Sequence, residues 1–173
     1  ITEVDTGRVI PEQLVDVGLL DDVADIFARR PEDLVGLEGF AEKKTEKLIR
    51  AIAIRKKLSL PRFLFALGIL HVGEESASTV ATELSRSLPT TEFDPLALLT
   101  AAKLLDVAAW AQLPDVGPVV AASLYDFWHE PTTGVLFNKL THLGLRLLPP
   151  VVAVGTLQGK SFVLTGSLRG LTR

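Results

Sequence analysis

One pattern recurs four times along this chain. A small residue is preceded at one and four positions by larger side chains, and another follows it at seven. The stretch "LPDVGPVVAASL" centres on Gly117, with Val116, Leu113 and Leu124 at those offsets. "ILHVGEESASTV" repeats it around Gly73, with Val72, Ile69 and Val80. "LEGFAEKKTEKL" repeats it with Ala41 in the glycine slot, flanked by Phe40, Leu37 and Leu48. "EVDTGRVIPEQL" is a weaker copy on Gly7, with Glu3, Thr6 and Leu14. The anchors stand 34, 32 and 44 residues apart, the period of a repeated supersecondary unit.

Apolar spacing places helices on both sides of each anchor. The pattern predicts helices over 14–17, 21–28, 43–57, 60–67, 75–85, 95–103, 104–111, 119–129 and 133–143, with another opening at Pro31 and Gly144 as the final stop. The segment 86–94 reads as a loop. With 47% hydrophobic residues but only 6% aromatic, the core must be filled by Leu, Val, Ile and Ala, which favours helix packing. The expected fold is therefore all-α, tandem helix–turn–helix repeats over 1–148. A linker over 149–156 follows, and then "GKSFVLTG" reads as a buried β-strand within a truncated second domain, 157–173. The chain opens on Ile1, contains no Met and stops soon after that strand, so a piece of a longer protein is expected.

The anchor glycine suggests a chemistry. Glycine takes positive φ and lets other groups approach the backbone. The helix behind it bares N–H groups in its first turn, and with the helix dipole these attract an anion. A Ser or Asp cap would occupy the amides that an external phosphate must reach. The apolar residue before the anchor (Phe40, Val72, Val116) is expected to tuck between the two helices. Net charge is only −3, yet eight basic residues lie between 42 and 62 against Glu42 and Glu46. Such a cluster adds the salt-dependent part of nucleic-acid affinity. Glu74 and Glu75 behind Gly73 would repel a phosphate that they faced, or instead stabilise the helix start from within.

Other chemistry is thin. There is no Cys, hence no disulfide or thiolate metal site, and His71, His129 and His142 have no ligand spacing. His71 is placed to contact phosphate or to cap and pack. Trp110 and Trp128 are expected in the core or at its edge. No apolar run approaches the length of a membrane span.

These residues also carry a resemblance. "DVADIFARRPEDLVGLEGFAEKKTEKLIRAI" followed by "LPRFLFALGILHVGEESASTVA" resembles the helix-hairpin-helix domain of bacterial NAD-dependent DNA ligases, and "LQGKSFVLTGSLRGLTR" resembles the opening of the BRCT domain that follows it. The resemblance implies a cytoplasmic parent enzyme that seals nicks in replication and repair. That enzyme takes AMP from NAD onto a lysine, uses Mg²⁺, and carries a four-cysteine zinc finger. This chain has no Lys-x-Asp-Gly stretch and no Cys. It is therefore expected to hold no catalytic residue, cofactor or small-molecule substrate of its own, and to be unable to ligate alone. Its implied partners are nicked double-stranded DNA, gripped on the minor-groove side, and the other domains of the same ligase.

The residues expected to meet DNA are Gly39, Phe40, Ala41, Lys43, Lys44, Lys47, His71, Val72, Gly73, Val116, Gly117 and Val119. Ala41 is expected to alter its turn slightly, and Pro11 to disturb the first copy. Thr165-Gly166 matches a position that holds phosphate in some BRCT relatives, without a complete pocket here. Two other readings stay open. One is a helix-hairpin-helix module of another repair factor, the other a protein-interaction bundle whose basic helix docks an acidic partner.

Overall fold

The structure, a computed structural model, describes residues 12, 14–37 and 39–150. The copy on Gly7, Pro11, and the strand expected within 157–173 lie outside the described residues, as does all but the first two residues of the linker.

Five of the helices open on proline, whose fixed φ suits a first turn and whose missing N–H costs nothing there. They are α2 (Pro31–Leu34), α4 (Leu60–Ala66, Pro at its second position), α6 (Pro95–Ala102), α8 (Pro118–His129) and α9 (Pro131–His142). Other helices include α1 (Asp25–Ala28), α3 (Glu42–Ile54), α5 (Glu74–Leu84) and α7 (Val107–Ala111), and residues 14–16 are helical as well. Asp94 caps α6 by accepting from the Ala97 amide at 2.8 Å, and Asp106 caps α7 through Ala109 at 2.7 Å. At the far end Gly144, at φ +79°, lets Leu145 N–H return to the Leu140 carbonyl at 3.1 Å and closes α9.

The main core is helical. Leu60, Leu64, Leu84, Leu98, Leu124, Trp110, Trp128 and Phe137 are each 0–1% exposed. Phe137 meets the edges of Phe63 and Trp128 at centroid distances of 5.7 and 5.6 Å. Both tryptophans bury indole N–H groups that have no partner. Each unpaired N–H costs about 1–3 kcal/mol. Burying a ring of some 200 Å² returns about 5 kcal/mol, so the apolar gain wins. A smaller core forms from Leu14, Leu34 and Phe40, with Leu19, Leu20, Leu37, Leu48 and Ile49 packed against it.

The fold is mostly helical rather than wholly so. β1 (Lys57–Ser59) pairs in parallel with β2 (Arg146–Leu148), with Leu58 opposite Leu147. Leu147 also exchanges both backbone hydrogen bonds with Phe93, at 3.0 and 2.8 Å. Leu147 is wholly buried while its neighbours in β2 are exposed. This sheet corrects one expectation, since the helix reaching residue 57 stops at Ile54, while 86–94 is a loop as expected and contributes Phe93 to the core. A further difference is that 103 and 104 form a turn, so that helix begins at Val107 behind its Asp106 cap.

The two cores are tied by polar contacts. Lys139 Nζ on α9 reaches Asp25 Oδ1 at 2.8 Å and Asp22 Oδ2 at 2.9 Å. Asp25 Oδ2 also accepts the amides of Asp21 and Asp22, each at 3.0 Å. The Lys139 ammonium, helped by those two amides and opposed by burial, brings the Asp25 carboxyl from an ordinary 3.8 down to about 2. The two carboxylates in turn raise Lys139.

Candidate nucleic-acid interface

The three described copies build one turn in one register. Four residues before the anchor, a carbonyl accepts the amide of the residue just before it. These bonds are Leu37 to Phe40 at 3.0 Å, Ile69 to Val72 at 3.0 Å, and Leu113 to Val116 at 3.2 Å. Two residues before the anchor the backbone is left-handed: Gly39 at φ +80°, His71 at +64°, Asp115 at +60°. One residue before it, Phe40, Val72 and Val116 are buried between the helices, as expected. The anchor itself is extended, and its carbonyl accepts the first helical bond. Thr45 N–H meets Ala41 at 3.0 Å, while Ala77 meets Gly73 and Ala121 meets Gly117 at 2.9 Å.

This geometry corrects the role given to the anchor glycine. Gly73 has φ −85° and Gly117 φ −78°, values open to any residue. The positive φ falls two residues earlier, where the turn reverses, and there Gly39 is the residue with a conformational need. It also explains why Ala41, at φ −69° and ψ 155°, changes nothing in its turn. A Cβ built on Gly73 or Gly117 would meet nothing within 4 Å. The fold asks for glycine at neither position, and the space ahead of each is open.

The helix starts behind the anchors are also open. Ala41, Gly73 and Gly117 offer no capping side chain, and no side chain caps α3, α5 or α8. Glu74, Glu75, Pro118 and Val119 are exposed. Four N–H groups at a helix start have no intrahelical partner, and Pro118 removes one from α8. The same chain places Asp caps on α6 and α7, while most of its described helices start without one, so an uncapped start does not by itself mark a hairpin. Helices α4 and α9 also lack a side-chain cap. What α5 and α8 add is a glycine anchor with free space before it.

Numbered along the chain by their anchors, with Ala41 in hairpin two, Gly73 in three and Gly117 in four, hairpins three and four sit side by side. Ser76 Oγ, in the first turn of α5, donates to the Asp115 carbonyl in the turn of hairpin four at 3.5 Å. On the other side, turn residues Gly68, Ile69 and Leu70 share a surface cleft with Ser123, Asp126 and Phe127 of α8. Each hairpin therefore lays its turn against the second helix of the other. Sequence reasoning placed the hairpin at 115–118 but missed Ser76 and the left-handed backbone at Asp115. Alignment of Asp115 with Gly39, two residues before the anchor, was the available signal.

Charge divides unevenly among the hairpins. On α3, Lys43, Lys44 and Lys47 are exposed, together with Arg50, which the expected site omitted. Lys44 Nζ stands 4.8 Å from the Phe40 ring centre, beside Gly39. It is held at the turn by cation–π attraction. Two other members of the basic cluster are diverted. Lys56 Nζ donates to the Leu143 carbonyl at 2.9 Å, and Lys57 pairs with Glu92 at 2.7 Å. Hairpins three and four present Glu74, Glu75 and Asp115 instead, all exposed. No capping bond ties Glu74 or Glu75 to the amides they flank. His71 is exposed at its turn, and Val119 is 62% exposed on the first turn of α8.

Comparison with known proteins bears on this geometry. Residues 62–136, which include hairpins three and four, match the helix-hairpin-helix motif. Nearly the whole chain is similar to part of several proteins named DNA ligase. That of Nitrosococcus oceani is 37% identical over 170 residues, covering 96% of this chain and 23% of the relative. That of Gemmatimonas aurantiaca is 38% identical over 164 residues, covering 94% and 22%. That of Thermomicrobium roseum is 37% identical over 172 residues, covering 96% and 23%. The chain thus spans under a quarter of the length of these relatives.

Proposed function

We propose that this chain, related along nearly all its length to a segment of DNA ligases, is the part of an NAD-dependent DNA ligase that grips duplex DNA around a nick without reading its sequence. The observation that carries this reading is the shared geometry of the hairpins. Two turns in one register, on Gly73 and Gly117, each end in a glycine with open space before it and an exposed, uncapped helix behind it, and the turn on Ala41 shares their register. A phosphate oxygen approaching Gly73 or Gly117 meets backbone N–H donors and the positive end of a helix dipole. Such contacts fix position on a duplex and carry no sequence information. Hairpins three and four supply geometry but little charge, and Lys43, Lys44, Lys47 and Arg50 of hairpin two supply the attraction.

The chemistry of a whole ligase finds no seat in these residues. The chain has no Cys for a zinc finger and no Lys-x-Asp-Gly to carry AMP. Among the described residues no group of three or more His, Asp or Glu comes close enough to hold a metal ion. Nick sealing belongs to the parent enzyme, and this chain contributes grip.

A salt titration tests the reading. The chain should bind nicked duplex with log affinity falling linearly against log salt, and should prefer duplex to heparin, a polyanion without grooves. Lys43→Gln, Lys47→Gln and Arg50→Gln should each flatten the slope by roughly 0.9 where that side chain neutralises one phosphate. Equal affinity for heparin, with slopes unmoved by all three, would favour a basic helix that docks an acidic partner.

A further inference from the structure

Hairpin two rests on its own small core, yet the chain enters and leaves it at one place on the main body. The entering segment carries Asp22 and Asp25, both held by Lys139 Nζ in the last turn of α9. Ala24 beside them is buried in the main core, and Phe27 packs against it. The leaving segment carries Lys56, whose Nζ donates to the carbonyl of Leu143, just past that same turn. The Lys56 carbonyl then accepts Arg146 N–H at 2.7 Å, and β1 joins β2. Entry and exit of the basic hairpin are thus both fastened by lysine ammonium groups at the C-terminal end of α9. That end carries the negative pole of the helix dipole, which favours both cations.

We infer that Lys139 and Lys56 are positioning residues for the DNA grip: together they fix hairpin two, with its cationic helix, at a set distance from hairpins three and four. This rests on the DNA-gripping reading above. Two phosphate holders on one rigid body bind a duplex long enough to reach both far more tightly than either holder alone, because the second contact is intramolecular. A loosened mount leaves each holder intact and loses that gain. Neither lysine needs to touch DNA.

The absence of Cys makes the test direct. Spin labels are placed at Glu46→Cys on α3 and Ala122→Cys on α8, both exposed sites. Double electron–electron resonance then gives the distance distribution without DNA. The parent chain should show one narrow distance, the Lys139→Met/Lys56→Met variant a broad one, and Lys139→Arg a narrow one. Affinity is then read on a long duplex and on one too short to reach both holders. The double variant should lose roughly 10- to 100-fold on the long duplex and less than about 2-fold on the short one. If the double variant is poorly folded, Asp22→Asn removes one carboxylate charge while its oxygen still accepts the Ala24 amide, and should broaden the distance partially. An unchanged distribution in both variants overturns the inference, as does equal loss on both duplexes. Failure of the parent chain to bind any DNA would sink the gripping reading alone, while the distances still decide whether the mount exists.

Discussion

Replacing Gly73 and Gly117 by alanine separates what the fold needs from what the ligand needs. Both residues have φ near −80° and an extended ψ, which alanine adopts freely. The added methyl would meet nothing within 4 Å. Alanine is a poorer N-cap than glycine by roughly 0.5–1 kcal/mol. Against this, it removes unfolded-state freedom worth about 0.4–1 kcal/mol. The two terms nearly cancel, so each variant should unfold within about 2 °C of the parent by calorimetry. DNA binding should respond differently, because the methyl sits where a phosphate must close on the amides. Losing one hydrogen bond to a charged group costs about 1.5–3 kcal/mol, or roughly 10- to 100-fold in Kd per hairpin. Fluorescence anisotropy with a labelled nicked duplex at fixed salt reads this. A drop in Tm of 5 °C or more would mean that the fold itself demands glycine. Unchanged Kd in both variants would mean that the open space faces nothing.

Two further outcomes follow from the packing. Asp25, held near a pKa of about 2 first by the Lys139 ammonium, stabilises the fold above its unfolded value of 3.8 and loses that contribution as pH falls through about 2. The difference corresponds to about 2 kcal/mol at neutral pH. Asp25→Asn should therefore lower the urea midpoint at pH 7 and leave it near the parent's at pH 2, and a parallel offset at both pH values would refute the assignment. Leu124 is fully buried behind hairpin four, and Leu124→Ala should cost about 2–5 kcal/mol in urea unfolding. A cost below about 1 kcal/mol would contradict the packing described for α8.

The hairpins were legible in the sequence because a repeated pattern carries more information than any single turn. Val116, Val72 and Phe40 mark the same buried slot at three places, and that agreement located the anchors whatever each glycine was doing. The backbone state of those glycines was not legible. A glycine in a turn invites a positive φ, but the left-handed position here is held by His71 and Asp115, residue types that tolerate it without advertising it. The sheet was invisible because three-residue strands show no periodicity, and Phe93 is a lone apolar residue among polar neighbours. Counting charge found the basic helix but could not tell that Lys56 and Lys57 would be bound by Leu143 and Glu92. Which cations remain free depends on contacts 35 and 87 residues away along the chain.

The central claim is that bared amides at the hairpin helix starts receive phosphate. The most direct measurement is a ¹⁵N-resolved NMR titration of the chain with a nicked duplex, following the amides of Glu74, Glu75, Ser76, Val119 and Val120. The account predicts that these signals shift on binding, downfield as expected for new charge-assisted hydrogen bonds, and that their hydrogen exchange slows. Shifts confined to the basic helix Glu42–Ile54, with these five amides unmoved at saturation, would contradict it.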